Sequence, residues 1–162
     1  MTRRLSAIVW TGAVLLLLTA GLRPLHGQVQ IRNLVFTSGA SLEGYRGNLT
    51  SVTIPVVDSC LFQNNRTDSA VYVRDGSLQL RNSHFEGNYD VSEGVVHAEL
   101  DQAPGRIDGC SFVSNTSPWR TAGLYTTDSH PMVVNNSLFF GNVGGEVGAI
   151  YAGSPMNVRG CT

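Results

Sequence analysis

A six-residue pattern of apolar and polar positions recurs along the chain after residue 27. Its first position is aliphatic, its second polar, its third Asn, Ser or Gly, and its fourth small or apolar, whereas its fifth varies. The sixth position is Phe in all five complete copies. Successive Phe residues are 26, 23, 27 and 27 residues apart, which indicates a fixed structural turn joined by loops of varying length. The copies begin at Ile31, Val57, Leu80, Ile107 and Val134, and a sixth copy from Val158 is cut short at Thr162.

The alternation in the first two positions predicts a β-strand, because neighbouring side chains of a strand point to opposite faces. Asn and Gly at the third position tolerate a left-handed backbone, so the chain is expected to turn there. Inward residues on both sides of this bend must surround a shared interior. We therefore predict an all-β fold, a right-handed parallel β-helix of about five full coils and a truncated sixth. A helical solenoid, the main competitor, needs a 3.6-residue period that the sequence lacks after residue 27.

Residues that share a position in the pattern are expected to stack from coil to coil. The sixth position predicts an internal column of Phe36, Phe62, Phe85, Phe112 and Phe139. An Asn three residues after four of these Phe residues predicts a hydrogen-bonded ladder of Asn65, Asn88, Asn115 and Asn142. The second position predicts an outward column of alternating charge, formed by Arg32, Asp58, Arg81 and Asp108.

The three cysteines occupy the inward fourth position of alternate coils, at Cys60, Cys110 and Cys161. Coils of a parallel solenoid stack about 4.8 Å apart, so cysteines two coils apart lie beyond the range of a disulfide. We expect reduced thiols that fill the core as small apolar groups.

Another segment of each coil places small residues before an aliphatic residue and an aromatic one. It ends at Tyr72, His97, Tyr125 and Tyr151, and it predicts a further strand. His97 takes the position that Tyr holds in the other coils, so we interpret it as a surface or stacking residue.

These repeats resemble a known family. The segments from Phe62 to Asn65, Phe85 to Asn88, Phe112 to Asn115 and Phe139 to Asn142, together with Val147 to Ile150, resemble the repeats of polymorphic outer-membrane-protein passenger domains. More broadly, residues 29–162 are similar to right-handed parallel β-helix proteins of the pectin-lyase type. The resemblance implies the β-helix fold, which serves both adhesins and polysaccharide enzymes.

Residues 1–27 have the pattern of a signal peptide, which is expected to form a helix. Arg3 and Arg4 precede an apolar run from Ala7 to Leu22, and Pro24 follows it. The run is shorter than the ~20 residues of a membrane span, which favours a cleaved signal over an uncleaved anchor. We expect a secreted or cell-surface protein whose β-helix domain, residues 28–162, is truncated at its C-terminus.

Composition and motifs exclude several function classes. The chain has 11 basic and 12 acidic residues, so its net charge of −1 argues against nucleic-acid binding. It contains no phosphate loop, dinucleotide fingerprint or nucleophile elbow, and no cofactor is predicted. The sequence predicts no metal site, because its four histidines lack the spacing of metal ligands. They are His26, His84, His97 and His130.

Candidate catalytic and modified residues are few. Asp58 shares a column with Asp108, and Asp128 lies two residues before His130, but neither pairing predicts a catalytic residue. Among the N-glycosylation sequons, Asn48 is the best candidate because it lies in a predicted loop.

Together these features predict an exported, non-catalytic β-helix module for surface adhesion or carbohydrate contact. The alternative is a fragment of a carbohydrate-active β-helix enzyme, either a polysaccharide lyase or a hydrolase. Expected partners are surface glycans or other extracellular proteins, with a membrane contacted only through an uncleaved signal anchor.

Overall fold

A computed structural model describes residues 4–5, 9–11, 30–33, 35–37, 42–45, 56–74, 77–90, 93–101, 103–127 and 129–162. Every regular element in these ranges is a β-strand, and none of the described residues forms a helix long and apolar enough to cross a bilayer. The strands assemble into four parallel sheets, here called sheets 1 to 4 in the order in which one turn of the chain visits them.

Each sheet takes one strand from each successive turn. Sheet 1 contains β1 (Arg4–Leu5), β3 (Gln30–Arg32), β6 (Val56–Asp58), β10 (Gln79–Arg81), β14 (Gly105–Asp108), β18 (Met132–Asn135) and β22 (Met156–Arg159). Sheet 2 contains β2 (Val9–Thr11), β4 (Val35–Thr37), β7 (Leu61–Gln63), β11 (His84–Glu86), β15 (Ser111–Val113) and β19 (Leu138–Phe140).

The other two sheets complete each turn. Sheet 3 contains β8 (Arg66–Thr67), β12 (Tyr89–Asp90), β16 (Thr116–Ser117) and β20 (Val143–Gly144). Sheet 4 contains β5 (Leu42–Tyr45), β9 (Val71–Arg74), β13 (Val96–Glu99), β17 (Leu124–Thr127) and β21 (Ile150–Ala152). The described residues thus hold four complete turns of four strands, one fewer than predicted, because residues 30–45 have no described strand in sheet 3.

The bends between sheets 1 and 2 occur at the third position of the six-residue pattern. The residue there has a positive φ of 48° to 64° in every described turn. A second bend, between sheets 2 and 3, uses the same left-handed conformation one residue before the ladder Asn. The first set is Asn33, Ser59, Asn82, Gly109, Asn136 and Gly160, and the second is Asn64, Gly87, Ser114 and Gly141.

The Phe residues of the pattern stack inside the solenoid. Ring centroids lie 4.7 Å apart between Phe62 and Phe85, 4.8 Å between Phe85 and Phe112, and 4.6 Å between Phe112 and Phe139, and the rings are almost parallel. The first three rings are fully buried, and Phe139 packs against them. The backbone of Phe36 is in register with Phe62, while its side chain lies outside the described residues.

The Asn residues form a second internal column. In Asn65, Asn88 and Asn115, the backbone N–H and the side-chain Nδ2 both donate to Oδ1 of the Asn in the next turn, at 2.9 to 3.0 Å. Nδ2 of the later Asn residues also donates to a Phe carbonyl of the preceding turn. The buried amides of Asn65, Asn88 and Asn115 and the partly exposed amide of Asn142 therefore hold the corner between sheets 2 and 3.

The cysteine column alternates with serine. Cys60 and Cys110 are buried free thiols, and Cys161 is a partly exposed one. The backbone N–H of Cys60 donates to Oγ of Ser83, and that of Cys110 donates to Oγ of Ser137, both at 3.2 Å. Burial raises the pKa of the Cys110 thiol to about 11, so this thiol stays protonated and unreactive at neutral pH.

The predicted N-terminal signal helix is not shown. Within residues 1–27 the described residues form only β1 and β2, which pair in parallel with β3 and β4. Val, Trp and Thr, the residue types of β2, favour strands over helices, which is the physical reason for this pairing. The other residues of this segment lie outside the described ranges, and the signal peptide itself stays a prediction.

Candidate functional site

An aromatic column runs across the outer face of sheet 4. Tyr72, His97, Tyr125 and Tyr151 are in register on β9, β13, β17 and β21. Their ring centroids are 4.7, 4.8 and 5.0 Å apart from one turn to the next. We call these four residues the aromatic ladder.

The sequence of each sheet 4 strand explains why these rings face outward. Val71, Val96, Leu124 and Ile150 precede the four rings, and the first three are fully buried in the core. Because strand side chains alternate, each following aromatic residue points away from the core. Gly94 allows close packing beneath the ladder, since a Cβ at this position would lie 2.9 Å from Cβ of Tyr125.

Two carboxylates converge on the imidazole of the ladder. Nε2 of His97 lies 3.5 Å from Oε1 of Glu99 and 3.9 Å from Oε2 of Glu93. The hydroxyl of Tyr72 donates to the same Oε1 of Glu99 at 2.9 Å. These contacts fix the orientation of His97 between its two aromatic neighbours.

Arg120 covers the other half of the ladder. Its guanidinium lies 5.5 Å from the ring centre of Tyr125 and 5.7 Å from that of Tyr151, within the range of a cation–π interaction. It also donates to the Tyr125 hydroxyl and lies 3.7 Å from Oε1 of Glu93. Burial and then the charge of Glu93 raise the pKa of the Tyr125 phenol, and Tyr125 and Glu93 in turn raise the pKa of Arg120. The site therefore presents a neutral phenol beside a permanent cation.

The margin of the ladder is the part that solvent reaches. His97 and Tyr125 are only 8% and 4% exposed, whereas Tyr72 and Tyr151 are partly exposed. Trp119, next to Arg120 in the loop before β17, is 64% exposed. A ligand would therefore contact Trp119, the outer Tyr rings and the polar edges of the Arg120 and Glu93 side chains.

A family model described as "right handed beta helix region" matches residues 25–162. The chain belongs to the right-handed β-helix family. Searches of curated proteins and of solved structures found no match. Membership of this family establishes that the solenoid is right-handed. It does not identify a ligand or an activity, because one fold serves many functions.

The β-helix places the acidic residues of sheet 1 in ion pairs. Arg32 Nε lies 3.5 Å from Oδ2 of Asp58, and Arg106 Nη2 lies 2.8 Å from Oδ2 of Asp108. The hydrogen bond from Arg106, followed by that from Asn136, lowers the pKa of Asp108. These carboxylates lie on strands separated by β10, so the structure does not bring them together.

Other residues considered from the sequence lie apart from the ladder. Nδ1 of His130 lies 3.2 Å from the carbonyl of Leu100, a contact that fastens its loop. Asp128 and Asn48 lie outside the described residues of the β-helix. Among the residues that the structure describes, no three His, Cys, Asp or Glu side chains are grouped to hold a metal ion.

Sequence reasoning identified the ladder position of His97 but missed Glu93, Glu99, Arg120 and Trp119. Glu99 was accessible to it, because residues two apart on a strand share a face. Glu93, Trp119 and Arg120 lie in loops of the β-helix whose lengths differ from turn to turn. Alignment of the repeats therefore could not predict that these three residues lie beside the ladder.

Proposed function

We propose that the chain is an exported β-helix module that contacts glycans through the aromatic ladder and Trp119, without catalysis at this surface. The observation that carries the proposal is the exposed Trp119 indole, which directly precedes Arg120, the residue whose guanidinium stacks on Tyr125 and Tyr151 of the ladder. The C–H face of a sugar ring packs on an aromatic face, and flanking charged groups hydrogen-bond to its hydroxyls. Binding sites of this kind combine aromatic surface with a few placed polar groups.

The spacing of the ladder supports an extended ligand. Adjacent rings repeat every 4.7 to 5.0 Å along the solenoid axis. Glu93 and Glu99 belong to the same turn as His97, and Arg120 lies just before the Tyr125 strand of the next turn, so polar groups flank two consecutive rings. A chain-like glycan laid along the axis would meet one ring at each turn.

The repeats support a surface role. We propose that the Phe-x-x-Asn segments belong to the polymorphic outer-membrane-protein type, within a broader pectin-lyase-like lineage. In that setting the ladder would face extracellular glycans or proteins, and residues 1–27 would direct export. N-terminal sequencing of protein recovered from the medium or cell surface tests export, and the proposal requires that the recovered chain starts after the predicted signal or retains it as an anchor.

Binding of the purified protein to a panel of immobilised glycans tests the ligand class. Trp119→Ala should weaken binding by about tenfold or more, as expected for an aromatic hot spot. Tyr89→Ala is a matched control, because Arg66 stacks on Tyr89 at 4.9 Å on sheet 3, away from the ladder. Equal losses in both variants, or no binding by the unaltered protein, would contradict the proposal.

A second candidate function, cleavage of a polysaccharide, is favoured by the convergence of Glu93 and Glu99 on Nε2 of His97. Glycosidic cleavage requires two carboxyl groups beside the scissile bond. Incubation with the glycans that bind, followed by an assay for new reducing ends, separates the two functions. Product that disappears in both Glu93→Gln and Glu99→Gln would replace the binding proposal with an enzymatic one.

A further inference from the structure

A hydroxyl, an imidazole and a carboxylate lie in one line on the outer face of sheet 2. Ser111 on β15 is directly in register with His84 on β11. Glu86 follows His84 by two residues on the same strand, so both side chains share the outer face. This group of side chains lies on a different sheet from the aromatic ladder.

The contacts among these side chains match those of a nucleophile, a base and an orienting group. Oγ of Ser111 and Nδ1 of His84 are hydrogen-bonded. Nε2 of the same imidazole lies 3.4 Å from Oε2 of Glu86. A base role for His84 needs the tautomer in which Nδ1 accepts from Ser111 and Nε2–H faces the carboxylate.

Glu86 is itself held in place. Nε2 of Gln63, one turn earlier on β7, donates to Oε2 of Glu86 at 3.2 Å. The line therefore runs from hydroxyl to imidazole to carboxylate to amide across three turns. The side chains of His84 and Glu86 are 40% and 44% exposed, so small molecules in solution reach the line directly.

Apolar side chains lie on the next turn, beside the serine. Leu138 is in register with Ser111, and Phe140 with Val113. Leu138 is 38% exposed and Phe140 is 66% exposed. Leu138 and Phe140 thus form an apolar patch within reach of any group attached to Ser111.

We propose that Ser111 is a nucleophile for acyl transfer, with His84 as its general base and Glu86 as the orienting residue. The substrate class is an ester that has a short apolar acyl group and a good leaving group, such as an aryl ester. The acyl group would pack on Leu138 and Phe140. This activity goes beyond glycan contact at sheet 4 and does not depend on it.

The step balances with water as the second reactant. Oγ of Ser111 bonds to the acyl carbon while its proton passes to Nδ1 of His84, and Glu86 stabilises the resulting imidazolium. The ester C–O bond then breaks, and Nδ1 gives its proton either to the leaving oxygen or, where the leaving group departs as a phenolate, to bulk water. Neutral His84 next takes a proton from water as that water attacks the acyl carbon. The same proton passes back to Oγ as the acyl C–Oγ bond breaks, which releases the carboxylic acid and restores the Ser111 hydroxyl.

The backbone around Ser111 limits the reaction to activated esters. The N–H of Ser111 donates to the carbonyl of Ser83 at 3.0 Å, as the sheet requires. This N–H is therefore not free to stabilise an oxyanion, a contribution worth about 100-fold or more in rate where it is present. Amides and alkyl esters, which need that stabilisation most, should react far more slowly than aryl esters.

The test uses p-nitrophenyl butyrate, with release of nitrophenolate followed by absorbance and the acylated residue located by mass spectrometry. The chain contains no Lys, so no Lys side chain competes for the acyl group. We expect a butyryl group on Ser111 and its loss in Ser111→Ala. His84→Ala should slow release by about 100-fold or more, the lower end of general-base contributions. Added imidazole should restore part of this rate, which a purely structural role of His84 would not allow.

Controls separate chemistry from folding. Thr116→Ala removes an outward hydroxyl from the next strand of the same turn and should leave both rate and labelling unchanged. Circular dichroism should show the same thermal midpoint for Ser111→Ala and the unaltered protein. Butyryl groups on other residues with none on Ser111 would overturn the proposal, as would an undiminished rate in His84→Ala.

Discussion

Asn88 donates two hydrogen bonds to one atom of Asn115, its Oδ1, from the backbone N–H at 3.0 Å and from Nδ2 at 2.9 Å. Asn115 is completely buried. Its own Nδ2 donates to Asn142 and to the carbonyl of Phe85. One amide thus satisfies polar groups of the turns on both sides of it.

Replacement of this amide should be costly. Asn115→Ala leaves two buried donors of Asn88 without an acceptor, and each such group costs about 1–3 kcal/mol. We expect the free energy of unfolding, measured by urea titration, to fall by about 2–4 kcal/mol. Asn142→Ala, at a partly exposed position in the same ladder, is the control and should cost clearly less. Equal losses would show that burial does not determine the strength of the ladder.

The Phe column predicts a cavity effect. Phe112 is fully buried between Phe85 and Phe139, so Phe112→Ala empties a site whose neighbours are fixed by their own strands. The cost should be about 3–5 kcal/mol in the free energy of unfolding. Phe140→Ala removes the same side chain from an exposed position and should change stability by about 0.5 kcal/mol or less. A near-neutral Phe112→Ala would be incompatible with the observed stacking.

Cys110 predicts a loss of stability at alkaline pH. Burial raises the pKa of its thiol from 9.0 to about 11. Between these values the unfolded chain has released a proton that the folded chain retains, so the free energy of unfolding falls as the pH rises. The contribution is fully present below about pH 9 and is lost as the pH approaches about 11.

Urea titrations across this pH range should therefore show a shallower decline for Cys110→Ser. Serine is a suitable replacement, because Ser83 and Ser137 occupy the equivalent positions in the neighbouring turns. Other titrating groups are common to both proteins, so the difference between the two curves isolates the thiol. Two parallel curves would mean that Cys110 titrates in the folded state as it does in the unfolded chain.

The left-handed bend at Gly109 predicts a coupling between turns. Asn occupies this position in three other turns, yet a Cβ on Gly109 would lie 3.0 Å from Oδ1 of Asn82 in the turn before. Gly109→Asn should therefore destabilise the protein by roughly 1–2 kcal/mol, in line with local strain of this kind. The double variant with Asn82→Gly should recover part of the lost stability. Thermal unfolding of the unaltered protein, the two single variants and the double variant measures the interaction energy between the two positions. Strict additivity would show that the clash is not the cause.

The fold could be predicted from the sequence wherever the six-residue pattern repeats without insertions. The Phe and Asn columns follow from it, since one residue at a left-handed φ sets the register of both flanking strands. The charge column illustrates the limit. Arg81 is in register with Asp58 and Asp108, yet it donates to Gln79 of its own strand. Strand register determines the position of the Cα and Cβ atoms of a long side chain. It does not determine which of several exposed polar groups the guanidinium at its end contacts.

The candidate sites divide in the same way. His84 and Ser111 share the fifth position of adjacent copies, so their contact was implicit in the alignment. Arg120 and Glu93 meet only because two loops of different length bend over sheet 4. Loop conformations depend on packing and solvation at each turn, and no repeat constrains them.

The Asn ladder gives the solenoid a dipole along its axis. The side-chain amides of Asn65, Asn88 and Asn115 each donate to Oδ1 of the Asn in the next turn, so their dipoles add along the axis instead of cancelling. A structure with such polarity has two chemically different ends, one rich in acceptors and the other in donors. Any further coil or second molecule that extends the ladder has to join it head to tail, because a two-fold symmetric contact would set donor against donor.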